Sequence, residues 1–327
     1  MNEELRESLE SELGQEFDWQ ELEKGLNTIY LLSSEGEEYV LKVHTNPKNK
    51  VPWFRAEPRI YEKVSDETDI PSPEIVYKDL SGESYRDLFY VMEKLDGENP
   101  QNIRGELGQE ELEEVIHRFG RILGEVHKVQ ITDEYGIIGY SGGVFGPPDS
   151  AEQWNWALEG SMSSWKEITE DEWGDPPEIE FDSGKVKERL PEKPESVLLH
   201  SDNRLDNLLV DGDNITGFLD WSHPWSGHRI YDLVKTEYLL IGRDLGEWDR
   251  DLDLEKLKEE FYSAYRDETG FERGEEFEEL RQIYRYAVTL ELAAGFANWG
   301  SKLDEKEHDS TREEIIDRLE AEEPKVL

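Results

Sequence analysis

The chain has 327 residues and no cysteine, and its 79 Asp plus Glu against 36 Lys plus Arg give a formal net charge of −43. Nucleic acid and anionic membranes are excluded as partners, because both need clustered basic residues to displace counterions; the missing cysteines exclude disulfides and thiolate metal sites. Ten Trp, fourteen Tyr and eleven Phe set in apolar runs argue for a packed core, against the disorder that high charge otherwise signals.

So acidic a surface repels itself at low ionic strength, and the Debye length falls to about 3 Å at 1 M salt, so a salt-adapted (halophilic) host is expected. The stretch Met1–Arg6 is acidic and has no apolar signal core. No run reaches the roughly 18 apolar residues of a membrane span. A cytoplasmic protein with no membrane partner is expected.

Leu5, Leu9 and Leu13 stand four apart and predict a short helix over residues 1 to about 14, lying on the first sheet. Asn27–Leu32 and Glu38–Val43 read as two strands joined through Ser33-Ser34-Glu35-Gly36, a hairpin signal. Lys42 falls inside the second strand, where a cation costs stability unless its charge is used. An edge-strand lysine guarding against aggregation is the plainer reading. Trp53–Val64 reads as a helix, with Pro58 tolerated if the helix starts within one turn upstream, which puts Glu57 in the first turn.

Leu88–Met92 reads as a buried strand that exits through Glu93-Lys94-Leu95-Asp96-Gly97 into a connector. Residues 110–129 form an amphipathic helix with Leu112, Val115, Ile116, Phe119, Ile122, Leu123 and Val126 on one face. His127 near its end has no second ligand at metal spacing on that face and reads as structural. From about 135 to 194 come a Gly/Pro-rich loop, a Trp-rich helical stretch around Trp154, Trp156 and Trp165, and an acidic, Pro-rich segment. No internal repeat is present.

Ser196–Leu199 reads as a buried strand leading into His200-Ser201-Asp202-Asn203-Arg204-Leu205-Asp206-Asn207. Asn207–Val210 and Ile215–Leu219 read as a hairpin turning through Asp211-Gly212-Asp213-Asn214, with Asp220-Trp221 at its end. After Asp220 the chain turns helical, opening with Ile230–Val234 and including an apolar helix over Tyr284–Trp299; His223 and His228 read as turn residues.

Any single Asp in so acidic a chain is most simply a solvated surface acid. The combination points elsewhere. Kinase-type loops pair an Asp that accepts the attacking hydroxyl's proton with an Asn five residues on that holds magnesium, and a further Asp bridges metal and phosphates. Asp202, Asn207 and Asp220 have that pattern between apolar strands. At these residues the chain resembles the aminoglycoside phosphotransferase family, also called the choline kinase and phosphotransferase enzyme family. It departs from protein kinases in reading His200-Ser201-Asp202 and Asp220-Trp221-Ser222, and in lacking an Ala-Pro-Glu segment.

The resemblance runs from Gly25 to Trp299 and implies an α+β, two-lobed protein-kinase-like fold. A small antiparallel β lobe with one helix would span residues 1–94. A larger, mainly helical catalytic and acceptor-binding lobe would span 95–327, with the insertion at about 135–194 supplying acceptor-pocket helices. It implies an enzyme that moves the γ-phosphate of ATP or GTP to a hydroxyl of a small molecule, with Mg2+ held by Asn207 and Asp220 and with Asp202 as catalytic base. Lys42 would hold the phosphates, paired with Glu57 or its competitor Glu62. Gly25 and Asn27 would lie in the phosphate-covering turn, which has one glycine in place of a triplet. Backbone groups of Glu93, Lys94 and Leu95 would meet the base, while His200 and Asp232 would support the loop. A nucleotide-binding pseudokinase without turnover is the alternative, against which the intact Lys42, Asp202, Asn207 and Asp220 weigh.

Overall fold

The structure, a computed structural model, describes residues 3–24, 27–45, 51–82, 87–103, 105–146, 151–180, 182–246 and 251–326. A five-stranded antiparallel sheet forms the N-terminal lobe: β1 (Asp18–Lys24), β2 (Asn27–Ser34), β3 (Glu37–His44), β4 (Ile75–Asp79) and β5 (Phe89–Glu93), in the order β1-β2-β3-β5-β4. Glu35 and Gly36 take positive φ values of 51° and 93° at the β2–β3 turn, the geometry a tight hairpin demands. Strand β1 was not legible beforehand, because Asp18–Lys24 carries mostly polar and charged residues that give no apolar alternation.

The period of two in β3 sorts its side chains. Leu41 and Val43 join Tyr30, Leu32, Phe17, Leu5 and Leu9 on one face, where helix α1 (Glu3–Leu13) packs. Lys42 and His44 therefore point to the other face, where helix α2 (Val51–Glu67) lies and Phe54 packs against His44 and Tyr90. The lobe thus carries two helices where the resemblance implied one. Helix α2 begins earlier than expected: Pro52 in its first turn is the true start signal, Pro58 lies in the interior, and Glu57 falls in the second turn. Pro58 removes the donor that the Phe54 carbonyl would otherwise receive, a cost the buried face of this helix offsets through Ala56, Ile60, Tyr61 and Val64.

Two attachments mark the passage between lobes. Lys94 N–H donates to the Glu38 carbonyl of β3 at 3.3 Å, whereas Glu98 pairs with Val210, and Thr216 Oγ1 donates to the Asp96 carbonyl at 2.7 Å. Gly97 between them has φ +126° and lies so close to Thr216 Oγ1 that a Cβ would stand 2.3 Å away.

The C-terminal lobe packs its helices on one core. Helix α3 (Gln109–Val126) runs against Leu254–Thr269, with Gly120 and Gly124 permitting the approach: a Cβ at Gly120 would lie 2.5 Å from the Phe261 carbonyl oxygen. The apolar helix expected from Tyr284 begins at Glu275 and runs to Trp299, packing on the insertion helix Trp154–Glu172 and on Glu305–Val326. Beneath the cleft lie a three-stranded sheet, Gly136–Ile137 with Trp225–His228 and Ser196–Leu199, and the hairpin Leu208–Asp211 with Asn214–Phe218. His228 is a correction. It is a buried strand residue whose Nδ1 lies 2.8 Å from the Tyr284 hydroxyl, because β pairing to Ser196 holds it inside.

Candidate active site

Lys42 is the first element of the site. Its Nζ donates to Glu57 Oε1 at 2.7 Å and to Asp220 Oδ1 at 3.3 Å, so one ammonium joins a strand, a helix and the residue after the C-lobe hairpin. Glu62 is settled elsewhere, paired with Lys78 across the helix–strand packing. Burial works to lower the Lys42 ammonium, but the carboxylates of Asp220 and Glu57 override it and hold it above its usual range. Burial likewise pushes Asp220 up, and Lys42 outweighs it, holding that carboxyl below the ordinary Asp range. Both stay charged.

Asp220 itself has φ +67°, and its N–H donates to the Tyr61 hydroxyl at 2.8 Å. A left-handed aspartate stores strain of order 1–3 kcal/mol, tolerated only where the surroundings over-determine it. The Tyr61 bond and the fully buried Trp221 that follows supply that constraint.

The loop His200–Asn207 leaves strand Ser196–Leu199 and closes through a short 3-10 turn, Leu205–Asn207. Asp232 braces it from helix Arg229–Thr236, accepting the N–H of His200 at 3.1 Å and of Ser201 at 3.0 Å while His127 Nε2 lies 3.3 Å away. Burial raises Asp232, but the hydrogen bond from His127 prevails and keeps it ionised. His127 is held by Tyr265 on its other nitrogen, at 2.7 Å, which gives that histidine two partners and no metal role. Asn203 Nδ2 donates to Thr236 Oγ1, and Leu205 N–H donates to Asp244.

His200 reads both flanks of the site. Its ring lies between Phe218 and Trp221, with Nε2 2.9 Å from the Leu219 carbonyl and Nδ1 3.3 Å from the Asp202 N–H. A carbonyl only accepts, so Nε2 carries the proton and Nδ1 receives the Asp202 amide, which requires a neutral ring. Burial, the largest influence, does lower this histidine.

Asp202 and Asn207 meet directly. Asn207 Nδ2 donates to the Asp202 backbone carbonyl at 2.7 Å and to its Oδ2 at 3.0 Å, while Arg204 Nε donates to Oδ1 at 2.9 Å. With its donor end committed, the Asn207 carboxamide turns its oxygen away from Asp202. The Leu219 N–H donates to the Asn207 carbonyl at 2.9 Å, so Asp220 stands one residue beyond that pairing. An amide oxygen and one carboxylate are hard donors suited to magnesium, which takes one or two carboxylates and fills its octahedron with water and phosphate oxygens. Among the described residues no group of three His, Cys, Asp or Glu forms a closed cage.

The sequence profile of the phosphotransferase enzyme family matches residues 18–277. The chain belongs to the phosphotransferase enzyme family. It is accordingly a phosphotransferase acting on small molecules. A search of curated proteins finds no match. Among solved structures, a putative aminoglycoside phosphotransferase from Ralstonia eutropha JMP134 superposes with a TM-score of 0.69 at 14% identity, covering 98% of this chain and 97% of that one. A thermostable mutant of aminoglycoside phosphotransferase APH(4)-Ia, in ternary complex with ADP and hygromycin B, gives 0.62 at 16% identity over 96% and 98%. Macrolide 2'-phosphotransferase MphH from Brachybacterium faecium gives 0.60 at 15% over 97% and 98%. At these identities the likeness speaks for the fold.

In this phosphotransferase a cavity of about 520 Å³ opens in front of Asp202, walled by the insertion helix through Trp165 and Ile168 and by the helix Glu275–Trp299 through Glu291 and Trp299. Its basic residues Arg204, Lys235 and Arg243 were not foreseen. Arg204 was visible inside the motif, but Lys235 and Arg243 lie on helical segments whose spacing carries no chemical signature. Of the remaining expected residues, Asn27 Oδ1 sits 3.3 Å from His44 Nδ1, and Gly25 lies outside the described residues. The N–H groups of Glu93 and Lys94 are taken by the carbonyls of Glu74 and Glu38.

Proposed function

We propose that this phosphotransferase moves the γ-phosphate of ATP or GTP to a hydroxyl of a small molecule, with Mg2+ held between Asn207 and Asp220. The observation that carries the reading is the 3.3 Å contact of Lys42 with Asp220, which joins the N-lobe lysine to the hairpin that follows the Asp202 loop. Lys42, kept charged and aimed by Glu57, binds the phosphates as a cation with little freedom to move. When bound, the ion neutralises charge on the nucleotide phosphates.

Asp202 receives the acceptor. Each of its oxygens holds one protein donor and keeps a lone pair for the incoming hydroxyl. As the acceptor oxygen bonds to the γ-phosphorus and the bridging oxygen of the donor departs, the hydroxyl proton passes to the Asp202 carboxylate. His200 and Asp232 act on the loop and carry no proton in this step. With the Glu93 and Lys94 amides engaged in the sheet, the Leu95 N–H and nearby carbonyls are the groups left to meet a nucleotide base.

The lobes divide at residues 94 and 95, a boundary supported by the attachment of Lys94 to β3 and of Asp96 to the C-lobe hairpin. The setting we propose is the cytoplasm of a salt-adapted host, supported by the net charge of −43. No helix among the described residues is long and apolar enough to cross a membrane. The test is nucleotide consumption over a panel of small alcohols in molar KCl, with and without magnesium. Magnesium-dependent turnover is expected; nucleotide binding with no turnover on any acceptor would point to a pseudokinase.

A further inference from the structure

Ser201, the residue before Asp202, stands at φ +64°, in the left-handed region that side chains rarely adopt. A glycine would take it without strain, so a serine held there is a candidate for function. Two bonds pin it. Its N–H donates to Asp232 Oδ1 at 3.0 Å, and its hydroxyl oxygen accepts from Lys235 Nζ at 3.0 Å. The first bond uses the backbone alone; the second needs the serine oxygen.

Asp232 and Lys235 stand three apart on the helix Arg229–Thr236, so they reach the loop from one face. Lys235 is buried, and its Nζ also donates to Glu291 Oε2 at 2.5 Å, an oxygen that accepts the Tyr231 hydroxyl at 2.9 Å as well. The lysine thus ties the loop to the helix Glu275–Trp299. Neither feature is what stability alone selects: a left-handed serine is strained, and a buried ion pair is often matched by apolar side chains of the same volume. Both converge on one hydroxyl beside Asp202. Ser201, Lys235 and Glu291 all line the cavity in front of that residue.

We infer that Lys235 is a positioning residue for phosphoryl transfer, acting through the Ser201 hydroxyl to aim the Asp202 carboxylate into the cavity. The Asp232 bond fixes the nitrogen of Ser201, and the Lys235 bond fixes its side chain. Rotation about the N–Cα bond between them is then closed, and with it the direction in which the chain continues to Asp202. Arg204 and Asn207 hold the carboxylate from the other side. The inference rests on the reading of Asp202 as base and adds the group that aims it.

The experiment follows ATP hydrolysis by the full chain with Mg2+ in 1 M KCl, water being the phosphate acceptor, and amide hydrogen exchange of the nucleotide-free protein. Ser201→Ala removes one oxygen, and Lys235→Met removes the donor. Each is expected to lower kcat about ten- to hundredfold, as displacing a reacting group by up to an ångström would, with the KM for ATP unchanged. Ser201→Ala leaves the Lys235–Glu291 pair intact and carries the test if Lys235→Met does not fold. The double variant is expected to be no slower than Lys235→Met alone, since both substitutions break the same bond. In an Asp202→Asn background Ser201→Ala should lower kcat by no more than about twofold, because no base is left to aim. Exchange needs no turnover: in Ser201→Ala it is expected to rise about tenfold over residues 202–207 and to stay unchanged in the helix Arg229–Thr236. Full kcat in Ser201→Ala, losses that multiply in the double variant or in the Asp202→Asn background, or unchanged exchange of the loop overturns the inference. An Asp202→Asn protein with full kcat overturns the base reading and this inference together, whereas a slow Asp202→Asn beside a fast Ser201→Ala overturns this inference alone.

Discussion

Lys42 and Asp220 meet across the two lobes through an ionic contact, beside the bond from the Asp220 N–H to the Tyr61 hydroxyl, whereas the loop His200–Asn207 is held within its own lobe by Asp232, Asn207 and Asp244, largely through hydrogen bonds to its backbone. The first arrangement rests in part on charges whose balance the proposed nucleotide and metal ion would change. The second draws on no group of the other lobe. The difference teaches where adaptability would sit in the proposed reaction: on the phosphate side, whose charges answer one another across the lobes, more than on the side of the proposed base, which is braced within one lobe.

Four substitutions sharpen or break that comparison. The largest effect is expected for Asp202→Asn, which removes the proposed base and gives up one of the two hydrogen bonds its oxygens accept, from Arg204 or from Asn207, while the Asn207 bond to the backbone carbonyl remains. Turnover should fall by roughly 10²–10⁴ with an unchanged circular dichroism spectrum. An undiminished kcat would remove Asp202 from the chemistry.

Lys42→Met comes next and acts on stability as well as turnover. It strands the Glu57 carboxylate, whose side chain is 1% exposed, without its cation. Breaking a buried pair in this way costs about 3–5 kcal/mol, read as a lower urea midpoint. Lys42→Met with Glu57→Gln should recover part of that stability without recovering nucleotide binding. Recovery of both would show the pair to be structural.

Asp232→Asn retains shape but has one acceptor oxygen where Asp232 offers two, so one loop amide, of His200 or of Ser201, loses its partner, and the charge facing His127 is lost. A stability loss of about 1–3 kcal/mol is expected. Turnover should fall less than in Asp202→Asn, since no reacting group is removed. A turnover loss as large as that of Asp202→Asn would mean that the loop is not rigid on its own.

The smallest effect concerns pH. Burial holds His127 and His200 below their usual range and brings His228 down to about 3, so the native state stays unprotonated where the unfolded chain takes up protons below about 6.5. Stability therefore falls as pH drops from about 6.5. Asp244 works the other way: burial pushes it up to about 6, so the native state binds its proton first and gains stability as pH falls through that value. In 1 M KCl, where surface repulsion is screened, Asp244→Asn should steepen the acid loss of stability by about 1–2 kcal/mol between pH 7 and 5. An unchanged slope in the urea midpoint would show Asp244 to be ionised throughout.

Much of this was legible in the sequence, for a local reason. Asp202, Asn207 and Asp220 are fixed by strands and turns only a few residues long, and a spacing of five within one loop survives any arrangement of the rest of the chain. Strand β3 was readable from its β-rich run beside a hairpin signal, and the period of two in the strand then puts Lys42 on the face opposite Leu41 and Val43.

What only the tertiary structure decided involves partners far apart in the chain. The choice of Glu57 over Glu62 depended on where α2 begins and on Lys78 claiming Glu62 from the neighbouring strand. Strand β1 exists because β2 offers an edge, to which a mostly polar sequence adds through backbone pairing and the packing of Trp19 on Tyr30. The basic wall of the cavity joins residues 204, 235 and 243 to a helix some fifty positions later. Local spacing encodes chemistry that one loop can carry, whereas charge placed by the packing of separate helices has no period for a sequence to display.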